Sequence, residues 1–361
     1  MKINDFSPPV ARTLPDFNVD TLAPLPPEMP PELPNVFSLT QLLERSVKTL
    51  NRNYENMLKC PSSTFKVLDG SAGEGAMQSF IAEFVEQIQT KRIRSQMWIQ
   101  QMRQCGAIFT HCMATLPLEQ RLQLENEQDR ILRDLLAQPA PPEIADEYNS
   151  ILTSSNDFFD KLLELIDLIK NGYLAGYEHI IAAYSDFFKD FNAEITAKMK
   201  DWIEGANGGK EVKLNAGEIR LALQALIRKY SHPNPASVLF PAPGMDGASK
   251  EEAEKWLKAL GLPASCLKQN ADGTFCVVMD LGPLTTMMNS LPPGVYWITW
   301  DTAKFQAWQT GFNAQEERMK NMLQSFMQKY SNANAYHDNF NKTLSSHLNQ
   351  FADMLKAMLN F

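Results

Sequence analysis

The chain has 361 residues, with 34 Lys plus Arg against 42 Asp plus Glu and hence a formal net charge of −8 (34 − 42). That length allows two or three domains and a real core. The acidic balance argues against a broad phosphate-binding face, so no nucleic acid is an expected partner. No apolar run approaches the roughly 18 to 20 residues that a membrane-spanning helix requires, so no transmembrane segment is expected.

The N-terminus, MKINDFSPPVARTLPDF, has no apolar run after Lys2, which argues against a cleaved secretory signal. Five cysteines (Cys60, Cys105, Cys112, Cys266 and Cys276) are an odd number without repeated spacing, and free thiols are expected rather than a disulfide framework. Nine of the 22 prolines fall in the first 34 residues. Fixed φ and missing N–H groups there predict a disordered, Pro-rich arm over 1–38.

Residues 39–142 read as an N-terminal helical domain. A short helix is expected at 39–58, then a flexible joint in LDGSAGEGA at 68–76. A proline-free helix over 77–112 and a second from Pro117 to about Leu136 suggest an antiparallel hairpin, stopped by Pro139, Pro141 and Pro142. From 143 to 204 a seven-residue column of Phe159, Ile166, Tyr173, Ile180 and Phe187 marks the first helix of a coiled coil. GANGG at 205–209 ends it.

Residues 205–300 change character. VKLN, SVLF, TFCVVMD and GVYWITW read as short strands, while Asn215 with Glu218 and Ser249 with Glu252 have capping-box spacing before helices at 216–230 and 250–260. This segment is expected to be a small mixed α/β domain. The final stretch, 301–361, carries the matching column of Phe305, Phe312, Met319, Phe326, Ala333 and Phe340 without a proline. The first long segment, 152–204, has ten acids and five bases (net −5), and 301–361 has five acids and six bases (net +1), a bias that favours pairing. The predicted fold is mainly α: a long antiparallel intramolecular coiled coil with an N-terminal helical hairpin and the α/β domain inserted between its two helices.

No catalytic set is visible. His111 lies between Cys105 and Cys112, but two cysteines seven apart on a helix are about 10 Å apart along its axis, too far to share a zinc ion. GSAGEGA lacks the Lys-Ser/Thr pair of a phosphate loop, and no G-x-S-x-G, H-E-x-x-H or C-x-x-C is present. No cofactor and no metal are expected. The Asn-rich run YSNANAYHDNFNKTLSSH, Tyr330 to His347, stands out because Asn is a mediocre helix former. It reads either as a polar layer that sets register or as a docking surface for a helical partner.

The blocks GYLAGYEHIIAAYSDFF (172–188), EVKLN (211–215), KWLKALGLPASCLK (255–268), AKFQAWQTGFNAQEERMK (303–320) and QKYSNANAYHDNFNKTLSS (328–346) resemble the type III secretion needle-tip proteins of the IpaD, SipD and BipD branch. The resemblance runs collinearly over about 150–361, and the N-terminal third shares only its layout. It implies a hydrophilic protein made in the cytoplasm and secreted through the type III apparatus to the needle tip at the bacterial surface. There it would control secretion and be a platform for translocators in host-cell invasion. Implied partners are the needle subunit, translocator proteins, further copies of itself and bile salts, with the N-terminal hairpin acting as a self-chaperone. Needle-docking candidates on this reading are Tyr330, Asn332, Asn334, Asp338, Asn339, Asn341 and Lys342, with Asn332, Asn339 and Asn341 facing outward. Bile-salt cleft candidates are Ile169, Tyr173 and Tyr177. Periodicity alone equally permits a cytosolic coiled-coil scaffold or chaperone.

Overall fold

The computed structural model describes residues 38–59, 74–245 and 247–360. The arm expected before Ser38, Cys60 and most of the Gly-rich joint lie outside the described residues. Among them, the longest element follows from the absence of proline after Pro293. Helix α10, Thr302–Leu359, runs for 58 residues, or about 87 Å at 1.5 Å per residue. Asp301 opens it, its carboxylate accepting from the backbone N–H of Lys304 at 2.8 Å.

Three helices precede the first half of the coiled coil: α1 (Leu39–Leu58), α2 (Glu74–Ala114) and α3 (Leu118–Leu136). The sequence pairs α2 with α3, but the helix that lies along α2 is α1; α3 meets α2 only slightly and packs instead on α10. The Ser46 hydroxyl donates to Cys105 Sγ at 3.2 Å, and Arg94 donates to the carbonyl of Asn56 at 3.1 Å. α1 also reaches α10, where Asn51 Nδ2 donates to Asn349 Oδ1 at 2.8 Å and Lys356 pairs with Glu44 at 2.5 Å. On α3, Asp134 faces His347 of α10 at 3.9 Å. The C-terminal half of α10 therefore carries a layer of three N-terminal helices. Its packing is aromatic: Phe109 of α2 lies 5.6 Å from both Phe159 and Phe351.

The segment read as one helix over 143–204 is interrupted. It forms α4 (Ala145–Thr153), α5 (Phe158–Asp167), a π-helical turn (Leu168–Leu174), α6 (Ala175–Phe191), a second π turn (Asn192–Thr196) and a 3₁₀ turn (Met199–Trp202). Ser154, Ser155 and Asn156 break it after α4, because short polar side chains compete for backbone partners. Ser154 Oγ donates to the carbonyl of Ile151 at 2.8 Å, and Asp157 then caps α5 by accepting from Phe159 N at 3.1 Å.

Two small antiparallel sheets lie between α6 and α10. One has the order β1 (Ile203–Ala206), β2 (Glu211–Leu214), β6 (Ile298–Asp301); the other has β3 (Val238–Phe240), β5 (Phe275–Val278), β4 (Leu267–Gln269). GANGG, expected to end the helix, instead closes the β1–β2 hairpin, because the helical segment already stops at Trp202. Asn207, Gly208 and Gly209 all have positive φ, and β1 begins before them. Helices α7 (Ala216–Lys229), α8 (Lys250–Leu260) and α9 (Gly282–Asn289) accompany the sheets. Asn215 and Ser249 accept from Glu218 N and Glu252 N at 3.1 and 3.2 Å, the first arm of each expected capping box.

The nine seam residues named from the sequence, Phe159, Ile166, Tyr173, Ile180, Phe187, Phe312, Met319, Phe326 and Phe340, are all buried. Tyr184 on α6 meets Phe326 edge-on, with centroids 5.2 Å apart, a geometry favoured by the ring quadrupoles. Replacing Ile180 or Phe326 by Asp places a carboxylate without a partner in this seam and is expected to cost several kcal/mol. Thermal denaturation followed by circular dichroism measures it; an unchanged Tm for both variants would contradict the seam.

Candidate functional site

The Asn-rich part of α10 divides by helical phase. Asn332, Asn339 and Lys342 are exposed, and Asn332 Oδ1 accepts from Gln328 Nε2 at 3.1 Å. Together with exposed Gln328, Ala335, Ser346 and Gln350 they form a stripe at spacings of three and four residues. Lys342 is its single charge. A polar stripe with one charge on a rigid helix can exchange water for a partner's hydrogen-bonding groups without desolvating several charges.

The other four docking candidates turn inward. Tyr330 is buried, its ring edge-on to Phe84 of α2 at 5.4 Å. Asn334 is half-buried, and its Oδ1 has no hydrogen-bond partner. Asp338 pairs with Lys91 of α2 at 2.6 Å. Asn341, expected to face outward, is 0% exposed, and its amide nitrogen lies 3.0 Å from His337 Nε2. The physical reason is a second buried stripe, Met327, Asn341, Ser345, Leu348 and Ala352, created because α10 is covered by the N-terminal helices as well as by the first half of the coil. The small and apolar residues at 345, 348 and 352 were the available sequence signal.

His337, which lies inside the Asn-rich run, is 1% exposed. Its Nε2 faces Ser95 Oγ at 3.4 Å and its Nδ1 faces Asp338 Oδ1 at 3.3 Å. Burial lowers its pKa, opposed by the hydrogen bond and charge of Asp338. Burial alone would raise Asp338, but His337 and the Lys91 ammonium hold its carboxyl below the ordinary value. Beside this layer, Arg92 of α2, Lys170 of the first π turn and Glu178 of α6 line one small cavity. Burial pushes the Glu178 carboxyl up to about 7, against the attraction of Arg92 and Lys170.

The bile-salt candidates occupy a different side of the first long segment. Ile169, Tyr173 and Tyr177 are buried. Tyr173 packs against Tyr177, Trp256 and Tyr336 with centroids 5.5, 6.3 and 6.2 Å away, and the Tyr177 hydroxyl donates to Glu143 Oε1 at 2.8 Å. A Cβ on Gly176 would come within 2.7 Å of the Trp256 ring, so glycine is what lets α8 dock here. The position of these candidates is therefore a filled aromatic nest, closed by Trp256 of α8 and Tyr336 of α10. Burial, followed by the charge of Glu143, raises the pKa of both tyrosines. A groove of about 720 Å³ lies elsewhere, between α1 and the end of α10, with Leu43, Val47, Asn51, Ala352 and Lys356 in its wall. Cys105 and Cys112 are buried core thiols.

A pair of long helical segments enclosing a small α/β insertion, with a helical N-terminal layer and a polar face with one charge on the last helix, defines a mainly helical fold. The sequence profile of the type III secretion systems tip complex components matches residues 78–359, and the chain belongs to that family, which is not a family of enzymes. It is similar to the cell invasion protein SipD of Salmonella typhi, 40% identical over 212 residues, which are 57% of this chain and 62% of that protein. It is also similar to the invasin IpaD of Shigella flexneri, 36% identical over 213 residues, covering 58% of this chain and 62% of the other. These alignments span less than two thirds of either relative. The crystal structure of the pathogenicity island 1 effector protein from Chromobacterium violaceum has a similar fold, with a TM-score of 0.58 and 27% identity over 87% of this chain and 95% of that one. Among the described residues no helix is long and apolar enough to cross a membrane.

The raised Glu178 gives a pH prediction. A carboxyl whose folded pKa exceeds its unfolded one contributes stability that is complete below the unfolded value and lost as pH rises through about 7. Glu178→Gln keeps the neutral form's shape and removes that loss. Between pH 5 and pH 8 the wild type should therefore lose about 2 kcal/mol relative to the variant. Urea unfolding at both pH values measures the difference, and parallel pH profiles would show that Glu178 ionises freely.

Proposed function

We propose that this chain is a hydrophilic tip protein of a type III secretion needle. In this reading it is made in the cytoplasm, exported through the apparatus and held at the needle tip on the bacterial surface. There it controls secretion and gives translocators a platform during host-cell invasion. The observation that carries the reading is the match to the tip-complex family over 78–359, and the names of the relatives, a cell invasion protein and an invasin, agree with it. A helical needle subunit would dock on the exposed stripe of Asn332, Asn339 and Lys342, and further copies of the chain would complete the tip. This reading is favoured over a cytosolic scaffold or chaperone by that same family match.

The N-terminal helices act as a self-chaperone in this scheme by covering the C-terminal half of α10 until assembly. Bile salts remain a proposed signal at Ile169, Tyr173 and Tyr177. A steroid can enter there only if Trp256 or Tyr336 moves, because both rings already fill the nest.

Changing Asn332, Asn339 and Lys342 together to Ala touches only exposed positions and improves helix propensity. The triple variant is expected to fold and be secreted normally yet to be missing from purified needles. Immunoblotting of culture medium and of sheared needles separates these outcomes. Full decoration of needles by the variant would remove the docking assignment.

A further inference from the structure

Residues 281–300 include no charged side chain, and the last part of this run lies in water. Strand β6 begins only at Ile298, so residues 294–297 of GVYWITW form a turn ahead of it, with Gly294 at φ 75°. Val295, Tyr296 and Trp297 are 44%, 51% and 38% exposed, and Leu221 of α7 is 53% exposed. They share one surface. The Tyr296 ring lies over Gly217, where a Cβ would come within 2.4 Å of it, and Leu221 stands one helical turn further along the same face.

The turn is held in place. Gly217 N donates to the carbonyl of Tyr296 at 2.9 Å, Arg220 donates to the carbonyl of Leu291 at 2.7 Å, and the Tyr296 hydroxyl donates to Glu218. Lys213 Nζ stands 4.4 Å from the Trp297 ring centroid and 3.8 Å from Glu204 Oε2. Four large apolar side chains are therefore fixed in an exposed position that neither the seam nor the polar stripe of α10 uses, and such patches mark binding surfaces.

The chemistry of the patch fits a lipid surface. Trp and Tyr settle at the membrane–water boundary, and a neighbouring lysine can lay its stem along apolar surface while its ammonium reaches the phosphates. Covering residues 294–297 removes no charge of the turn itself from water. The net charge of −8 is repelled by an anionic leaflet, so a zwitterionic one is the better match. Position agrees as well: β6 leads from Trp297 straight into α10, and Asn332 lies about 45 Å further along that helix. With the stripe on the needle, the turn is at the end that meets a target membrane; this placement rests on the proposed function, whereas the lipid affinity does not.

We propose that residues 294–297 and Leu221 form a shallow anchor for a zwitterionic phospholipid bilayer, with Val295, Trp297 and Leu221 entering the interface and Lys213 meeting the phosphates. Penetration stops at the headgroup boundary, because the backbone groups of an open turn find no partners in hydrocarbon.

The test mixes the full chain with phosphatidylcholine vesicles and reads binding by flotation and by quenching of tryptophan fluorescence with brominated lipid. Of the six tryptophans only Trp297 is exposed, so quenching reports this site. Saturable flotation with quenching is expected, little changed by salt because the attraction is mainly apolar. Trp297→Ala should lose the quenching and lower the partition coefficient about tenfold or more. Leu221→Ser, at an exposed helix position, should lower it several-fold while keeping the quenching, and it carries the test if Trp297→Ala does not fold. No flotation of the wild type, flotation without quenching, or equal partition of wild type and variants would each overturn the anchor. A wild type that ignores vesicles but self-associates through a contact removed by Trp297→Ala would overturn it too, and assign the patch to a second copy of the chain. Vesicle binding is measured without needles, so its failure and a failure of needle decoration are separate results.

Discussion

A single helix of 58 residues cannot hold itself in water by propensity; it must bury an apolar face along its length. That requirement on α10 organises the other elements. Toward the α/β insertion the partner is α6, through contacts such as Tyr184 with Phe326. Toward the C-terminus α5 joins α2, with Phe109, Phe158, Phe159 and Phe351 forming one aromatic cluster. Each such ring fully buried contributes about 1.5 to 3 kcal/mol by transfer from water. Losing the partners of the C-terminal half would expose Leu344, Leu348, Phe351 and Leu355 together, all of which are buried.

Between these two regions the packing changes from apolar to polar. Ser95, His337, Asn341, Lys91 and Asp338 bring hydrogen bonds and an ion pair into a buried layer. Polar pairs of this kind add little net stability over an apolar core, but they penalise a shifted register severely, because a one-residue slip leaves each group unpaired. Asn341 Oδ1 and Asn334 Oδ1 are already without partners. The layer therefore fixes where α2 sits.

Much of this was legible in the chain. Seven-residue columns and proline placement identify α10 and the first long segment, and the capping residues Asn215 and Ser249 locate α7 and α8. Three things were not. The break at Ser154 to Asn156 depends on local side-chain bonds that a periodicity count ignores. The strands β1 and β4 are too short, at four and three residues, to show alternation. The inward turn of Asn341 and the closure of the Tyr173 nest by Trp256 depend on partners distant in sequence. A heptad column shows one buried face of a helix; it does not show that a second set of helices covers another.

Helix α10 is held by different partners along its length, with the N-terminal layer needed only for the C-terminal half. Residue-resolved hydrogen exchange on a chain beginning at Glu143, compared with the full chain, tests it directly. Amides at 319–330 should keep their protection, because α6 is still present, while those at 340–355 should lose most of theirs. Equal protection along α10 in the shortened chain, or equal loss along all of it, would contradict the claim.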